Sequence, residues 1–317
     1  MKARIVPVEQ GTFADCVDFL RPRERRAIGL AGNLMAGGKP CFLPDAVKEF
    51  LALDRGDGIE GLFLMTRTGI LLHCIDDEAD RDAFAPAARN ALTKLGVRCA
   101  IGKADDTRWI ESLLPLTPFR TVDYKLMVRE VDSRGELSTH GELNIHGELS
   151  TRGELNTRGE LNTRGQLSSG GCPLPSGTAI FRASPADAEE LLSLQEGYEK
   201  EEVMPPGDPF NRDACLSALR GNLRSQCVWY AREAGRIVAK AGTNARGIGW
   251  DQLGGVYTVP ERRGLGLATA LADFAAADRE REGKRVALFV KLVNAPAIRA
   301  YLKAGFKPDV DFRISYF

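Results

Sequence analysis

The stretch Val256-Tyr-Thr-Val-Pro-Glu-Arg-Arg-Gly-Leu-Gly-Leu-Ala-Thr-Ala-Leu271 holds the residues of this sequence best suited to chemistry. A β-branched run ends at Pro260, a turn containing Gly264 and Gly266 follows, and an Ala- and Leu-rich helix begins. The start of a helix leaves several backbone N–H groups unpaired at the positive end of its dipole. Glycines there let a ligand approach the backbone closely. Such a turn is an anion site suited to a pyrophosphate. Proton transfer from an incoming group is commonly done by a carboxylate or an imidazole. Tyr198-Glu-Lys-Glu-Glu-Val203 offers Glu201 and Glu202, which read either as a base and acceptor-binding pair or as a solvated acidic helix end. Asp251 is a weaker candidate, and a water chain is a further alternative. His73 is the one histidine outside a repeated segment, and it lies far away in sequence.

These groups need elements to place them. Over 176–317 the pattern predicts strand 178–183, helix 186–202, a helix near 212–224, and strands 227–233, 236–243 and 251–259. A helix over 264–281, strand 285–291, helix 295–304 and a closing strand near 311–317 complete the order. Leu267, Leu271 and Phe274 recur at helical spacing, so their side chains are expected in the core while the amides of the same turn stay free. Strands interspersed with helices over so short a span predict an α/β (α+β) fold with a mixed sheet flanked by helices.

Two motifs together resemble the GNAT superfamily, the Gcn5-related N-acetyltransferases. One is Arg263-Gly-Leu-Gly-Leu-Ala268, which matches the family's Gln/Arg-x-x-Gly-x-Gly/Ala. The other is Leu288-Phe-Val-Lys-Leu-Val-Asn-Ala-Pro-Ala-Ile-Arg-Ala-Tyr-Leu-Lys-Ala-Gly-Phe306, with Asn, Tyr and Gly-Phe at the family's offsets. The resemblance covers 176–317, in detail 256–306, and implies an acetyl-CoA site and no metal. It implies that the strand at Val256, Tyr257 and Thr258 pairs with the pantetheine arm. It further implies that Arg263 heads a loop whose Gly264, Leu265, Gly266, Leu267, Ala268 and Thr269 amides cradle the pyrophosphate. Asn294 would bind the amide-rich arm and Tyr301 would act as general acid. A phenol of pKa ~10 stays protonated at neutral pH and can supply a thiolate whose conjugate acid lies near ~8.5. Peptide N-terminal acetylases of the superfamily carry a Glu where this sequence has Phe289, so that base is absent.

Residues 1–131 read as a further α/β domain, either unrelated or a degenerate GNAT-like partner. Residues 61–75 suggest two strands around Thr68-Gly69, and Phe84 to Leu95 a helix capped by Gly96. Val97 to Ile101 suggests a strand, Asp106 a cap for a helix through Leu114, and Thr121 to Val131 a closing strand. Neither motif of the second domain occurs here, so no CoA is expected to bind it. Gly102-Lys-Ala-Asp-Asp-Thr107 lacks phosphate-loop spacing and reads as a polar loop. Between the domains, 132–175 contains six tandem hexapeptides, from GELSTH at Gly135 to GQLSSG ending at Gly170. One leucine per unit is too little apolar surface for a core, so a flexible zwitterionic linker is expected, with ordered β structure as the alternative.

Lys+Arg and Asp+Glu both number 43, which favours neither nucleic acid nor acidic membranes as partners. Seven cysteines are scattered without a Cys-x-x-Cys pair, and no apolar stretch reaches membrane-spanning length. The expected setting is cytoplasmic. The expected activity is transfer of an acetyl group from acetyl-CoA to a primary amine of a small molecule or protein, by direct attack. The alternative is a non-catalytic acyl-CoA-sensing or scaffolding protein that regulates a partner.

Overall fold

The computed structural model describes residues 3–35, 47–56, 58–129, 174–204 and 207–317. Its first half comprises β1 (Arg4–Pro7), α1 (Phe13–Leu20), α2 (Ile28–Leu34), β2 (Val47–Asp54), β3 (Ile59–Thr66) and β4 (Ile70–Ile75), followed by α3 (Arg81–Leu95), β5 (Cys99–Lys103), α4 (Ala104–Leu113) and β6 (Arg120–Arg129). The second half comprises β7 (Thr178–Arg182), α5 (Ala188–Tyr198), α6 (Arg212–Ser225), β8 (Val228–Glu233), β9 (Arg236–Arg246) and β10 (Trp250–Thr258). It continues with α7 (Leu267–Arg281), β11 (Arg285–Lys291), α8 (Ala295–Lys303) and β12 (Lys307–Tyr316). The order β-α-α-β-β-β-α-β-α-β therefore occurs twice. None of these helices is long and apolar enough to cross a membrane.

All twelve strands form one mixed sheet in the order β1-β2-β3-β4-β5-β12-β6-β11-β10-β9-β8-β7. In each half the first four strands are antiparallel and the fifth joins in parallel, β4 with β5 and β10 with β11. The two closing strands are exchanged. β6 runs antiparallel to β11, from Val286↔Arg129 to Lys291↔Tyr124, and β12 pairs with β5 of the first half. The pair β6–β12 sits at the centre and joins the halves.

Helices α7 and α8 cover one face of the second half, burying Leu267, Leu271, Leu253, Leu288 and Phe306 together. On the other face α5 and α6 pack Leu191, Leu219 and Leu223 against Tyr230 and Tyr257. Helix α2 crosses from its own half to touch β9 and β10, with Ile28 buried among Trp250, Ala287 and Phe312.

Local differences from the sequence reading have local causes. Helix α7 begins at Leu267 rather than 264 because Gly264 and Gly266 hold φ of 79° and 83°, outside the helical region. Asp106 is no cap. Helix α4 already begins at Ala104, and Asp106 is buried in its first turn, 2.6 Å from Arg81. That position still faces the positive helix end. Gly96 does close α3 in the left-handed conformation, at φ 69°.

The repeat lies outside the described residues, but the topology fixes what its segment must span. β6 ends beside the start of β11, whereas β7 starts at the opposite end of the sheet, five strands away. Steps of ~4.8 Å between strands and ~3.3 Å per residue make this about 35 Å. Deleting Gly135–Arg152, three repeat units, leaves about 30 residues with a reach of ~100 Å. Melting temperature and CoA affinity are therefore expected to be unchanged; a loss of either would mean that the units pack onto the fold.

Candidate active site

Strands β10 and β11 pair only as far as Leu253↔Leu288. Beyond that point β10 shifts register against β9 between Gly254 and Tyr257, with Gly255 at φ 58°, while β11 continues along β6. The strands part, and a cavity of about 230 Å³ opens where they do. Asn294, Ala297 and Tyr301 line it from the α8 side, Tyr198 and Glu202 from the α5 side. Tyr124 of β6 and Ile101 of β5, both from the first half, complete its wall.

Beside the parted strands lies the glycine turn. None of the backbone N–H groups from Gly264 to Thr269 has an acceptor among the described residues, and Gly266 caps α7 without a side-chain bond. Thr258 Oγ1 is also buried without a partner. Orphaned donors at a helix start and a buried orphan hydroxyl on the adjoining strand are a polar cradle awaiting an acceptor-rich ligand. Arg263 folds back, its Nε donating to Thr258 O at 3.0 Å and its Nη2 to Glu201 Oε2 at 2.7 Å. Arg262 pairs with Glu233.

The model of the Acetyltransferase (GNAT) family matches residues 189–306, the span that carries this cavity and turn. Residues 189–306 are a GNAT domain. Among solved structures, a Drosophila protein is 13% identical with a TM-score of 0.61, over 99% of this chain and 98% of its own. A tandem GNAT protein from the clavulanic acid biosynthesis pathway is also 13% identical, with a TM-score of 0.55 over 99% and 98%. A GNAT-family acetyltransferase from Colwellia psychrerythraea is 12% identical with a TM-score of 0.53, over 99% and 100%. These likenesses span both halves and concern the fold. No curated protein matches the sequence.

Within the GNAT domain the adjacent glutamates part company. Glu199–Val203 is a π-turn closing α5, a wider coil that changes which way successive side chains point. Glu201 Oε1 accepts from the Tyr257 hydroxyl at 2.8 Å, so Glu201 ties β10 to Arg263 at the root of the glycine turn. Glu202 faces the cavity, with Lys291 Nζ 2.7 Å from its Oε2. Asp251 is fully buried and bound to Arg279 Nε at 2.6 Å, away from the cavity. Tyr257 packs inward with α5, while Val256 lines the cavity. Asn294 Oδ1 accepts from Ala297 N at 3.1 Å and caps α8, leaving its NH2 group beside the cavity.

Burial, then Tyr198 and Glu202, push the Tyr301 hydroxyl pKa up. Tyr124 is pushed up to about 12, chiefly by burial, with Tyr316, Tyr198 and Glu202 adding to it. Tyr198 is raised by burial and Glu202, and a Gly255 backbone bond opposes this. All three phenols are therefore protonated at neutral pH around one carboxylate. Tyr124, Tyr198 and Lys291 did not emerge from the sequence. Lys291 carried a signal, as the last residue of the strand before Asn294; Tyr124 carried none.

The first half repeats the GNAT domain's frame with the equivalent gap closed. β4 and β5 part after Leu72↔Ile101, and His73 follows at that point. Its ring sits so close to Gly102 that a Cβ there would stand 2.0 Å away. Its Nε2 meets Thr107 Oγ1 at 3.0 Å, and burial lowers its pKa to about 3. The turn before α3 reads Asp76-Asp-Glu-Ala-Asp80, and Asp80 caps the helix through Ala83 N. A carboxylate already fills the place of an anion.

Proposed function

We propose that the protein transfers an acetyl group from acetyl-CoA to a primary amine, by direct attack while both are bound. The observation that carries this reading is the parted β10–β11 pair, which sets Tyr301 and Glu202 on opposite walls of one cavity beside a turn of unpaired amides. When bound, acetyl-CoA supplies an acyl carbon activated by its thioester. We assign the Gly264–Thr269 amides to its pyrophosphate, with Arg263 as their anchor. Val256, Tyr257 and Thr258 are assigned to its extended arm, and Asn294 offers that arm an NH2 donor.

Glu202 is the carboxylate assigned to the acceptor. It draws in the ammonium form and takes the proton that the nitrogen must lose to become nucleophilic, with Lys291 holding it in place. The N–C bond forms, the C–S bond breaks, and Tyr301 gives its phenolic proton to the departing sulfur. Solvent then takes the second proton from the new amide nitrogen, restores the one on Tyr301 and clears the one on Glu202. Glu201 acts as a positioning residue between Tyr257 and Arg263. No cysteine lines the cavity among the described residues, which favours direct attack over a covalent acyl-enzyme.

Release of free thiol from acetyl-CoA with a panel of primary amines tests the reading. Tyr301→Phe is expected to lower turnover by about 10²-fold, the usual worth of a general acid, with the dissociation constant for CoA unchanged. Equal turnover in the variant would reduce Tyr301 to packing. Binding of CoA without thiol release from any amine would favour the sensing or scaffolding role instead.

A further inference from the structure

Lys240 of β9 is an ammonium buried behind the cavity, on the face of the sheet that α5 covers. It is 4% exposed and lies opposite Tyr230 of β8 and Tyr257 of β10. Burial lowers its pKa to about 8, so it still carries its charge at neutral pH. No carboxylate forms a salt bridge with it among the described residues, and Glu199 acts on it only from further away. Its Nζ rests 4.8 Å from the centre of the Tyr198 ring and donates to the Gly255 carbonyl at 3.0 Å. A buried charge without a counter-charge is costly. Nothing in the packing of β9 calls for one, since Ile237, Val238, Ala239 and Ala241 around it are buried and apolar.

The peptide that Lys240 grips is placed to matter. Val259 N donates to Val238 O, and Tyr257 lies opposite Lys240 in the same ladder, so the backbones of Val259 and Tyr257 turn to β9. Successive residues of a strand present their N–H groups to alternate sides. The Val256 N–H therefore points the other way, into the gap that β11 leaves beyond Leu253↔Leu288. The Gly255–Val256 peptide is trans, which sets its carbonyl opposite that N–H, on the side where Lys240 takes it. We propose that Lys240 is a positioning residue for acyl transfer: it holds and polarises this peptide, so that the Val256 N–H stabilises the oxyanion formed at the thioester carbonyl. This rests on the acyl-transfer reading above. With the pyrophosphate at the Gly264–Thr269 turn, the extended arm runs back along β10 from Thr258 and brings its thioester end to Val256. Attack by the amine drives the carbonyl electron pair onto oxygen, and the pair returns as the C–S bond breaks. The negative charge meets an N–H whose peptide already has an ammonium on its carbonyl, and hydrogen bonds in such a chain strengthen one another. Lys240 thus acts without touching the substrate.

The test uses Lys240→Met, which removes the charge and keeps the length of the side chain. Acetyl-CoA isotope-labelled at its thioester carbonyl reports the amide directly, because a stronger hydrogen bond lowers the infrared frequency of that carbonyl. In the wild type the frequency is expected to fall on binding, below its position in water. Lys240→Met is expected to cut that fall and to lower kcat about tenfold, a part of the about 10²–10³ that a whole oxyanion donor is worth. The Kd for CoA and the KM for the acceptor are expected to stay the same. Lys240→Gln, also neutral, is expected to do likewise and serves if the methionine variant does not fold. An unchanged carbonyl frequency in a folded variant, an unchanged kcat, or a fall in kcat matched by an equal loss of CoA affinity overturns the proposal. A carbonyl shift that depends on Lys240, without thiol release from any amine, keeps Lys240 as the source of the polarised amide and sinks the transferase reading, so the two failures are distinct.

Discussion

Gly266→Glu is expected to abolish CoA binding while leaving the fold intact. Gly266 holds φ 83° at the cap of α7, a conformation that costs a non-glycine residue about 1–2 kcal/mol. That strain is local and small beside the stability of a domain. The decisive effect is electrostatic. A carboxylate at the cap accepts the free amides itself and repels a pyrophosphate from the same place. The protein already contains this arrangement at the matching position of the first half, where Asp80 caps α3 amid Asp76, Asp77 and Glu78. Calorimetric titration should give one CoA per wild-type chain and none for the variant, with both melting cooperatively. A normal dissociation constant in the variant, or two equivalents bound by the wild type, would refute the placement of the anion site in the second half alone.

Arg129→Ala is expected to destabilise the whole chain by about 3–5 kcal/mol, the cost of removing one partner from a buried ionic cluster. Arg129 ends β6 and is 1% exposed. Its Nη1 lies 2.7 Å from Asp273 Oδ1 and 3.3 Å from Ala304 O. Its Nε stands 3.1 Å from Glu280 Oε1, off the hydrogen-bonding angle, so that contact acts through charge. One guanidinium thus pins a strand of the first half beneath α7 of the second. Without it, two carboxylates face each other in the core. Burial already raises the Glu280 pKa, against the lowering by Arg129. Losing the arginine raises it further. A carboxyl whose folded pKa exceeds its unfolded value stabilises below the unfolded pKa and loses that contribution as pH rises through the folded one. The deficit should therefore be smaller near pH 5 than near pH 8. Urea denaturation at both values measures it, and a deficit below 1 kcal/mol at either, or one independent of pH, would show that the cluster does not fasten β6.

The parts of the molecule written in local patterns were legible. Strand 285–291, the helix entered through Gly264 and Gly266, and the Gly96 cap each follow from a few adjacent residues. Strand pairing is not local. The alternation in residues 121–131 predicts a strand but names no partner, so the insertion of β6 between β11 and β12 was invisible, and Tyr124 with it. The different directions of Glu201 and Glu202 depend on a π-turn, which sequence spacing at helical period does not reveal. Absence of a glycine turn before α3 was readable; that His73 fills the matching gap was not, because it required knowing where β4 and β5 part.

The exchanged closing strands have a consequence for how the two halves can change over time. The order of the sheet reads the same from either edge, with its midpoint between β12 and β6, as in a symmetric pair of subunits that trade their last strands. In a pair of identical subunits, any substitution that closes one anion site closes both. Joined in a single chain, the copies are free to diverge. One can give up its ligand, fill its gap with an imidazole and lend a tyrosine and an isoleucine to its neighbour's cavity. Asymmetry of this kind is open only to a molecule whose symmetry is no longer enforced by its gene.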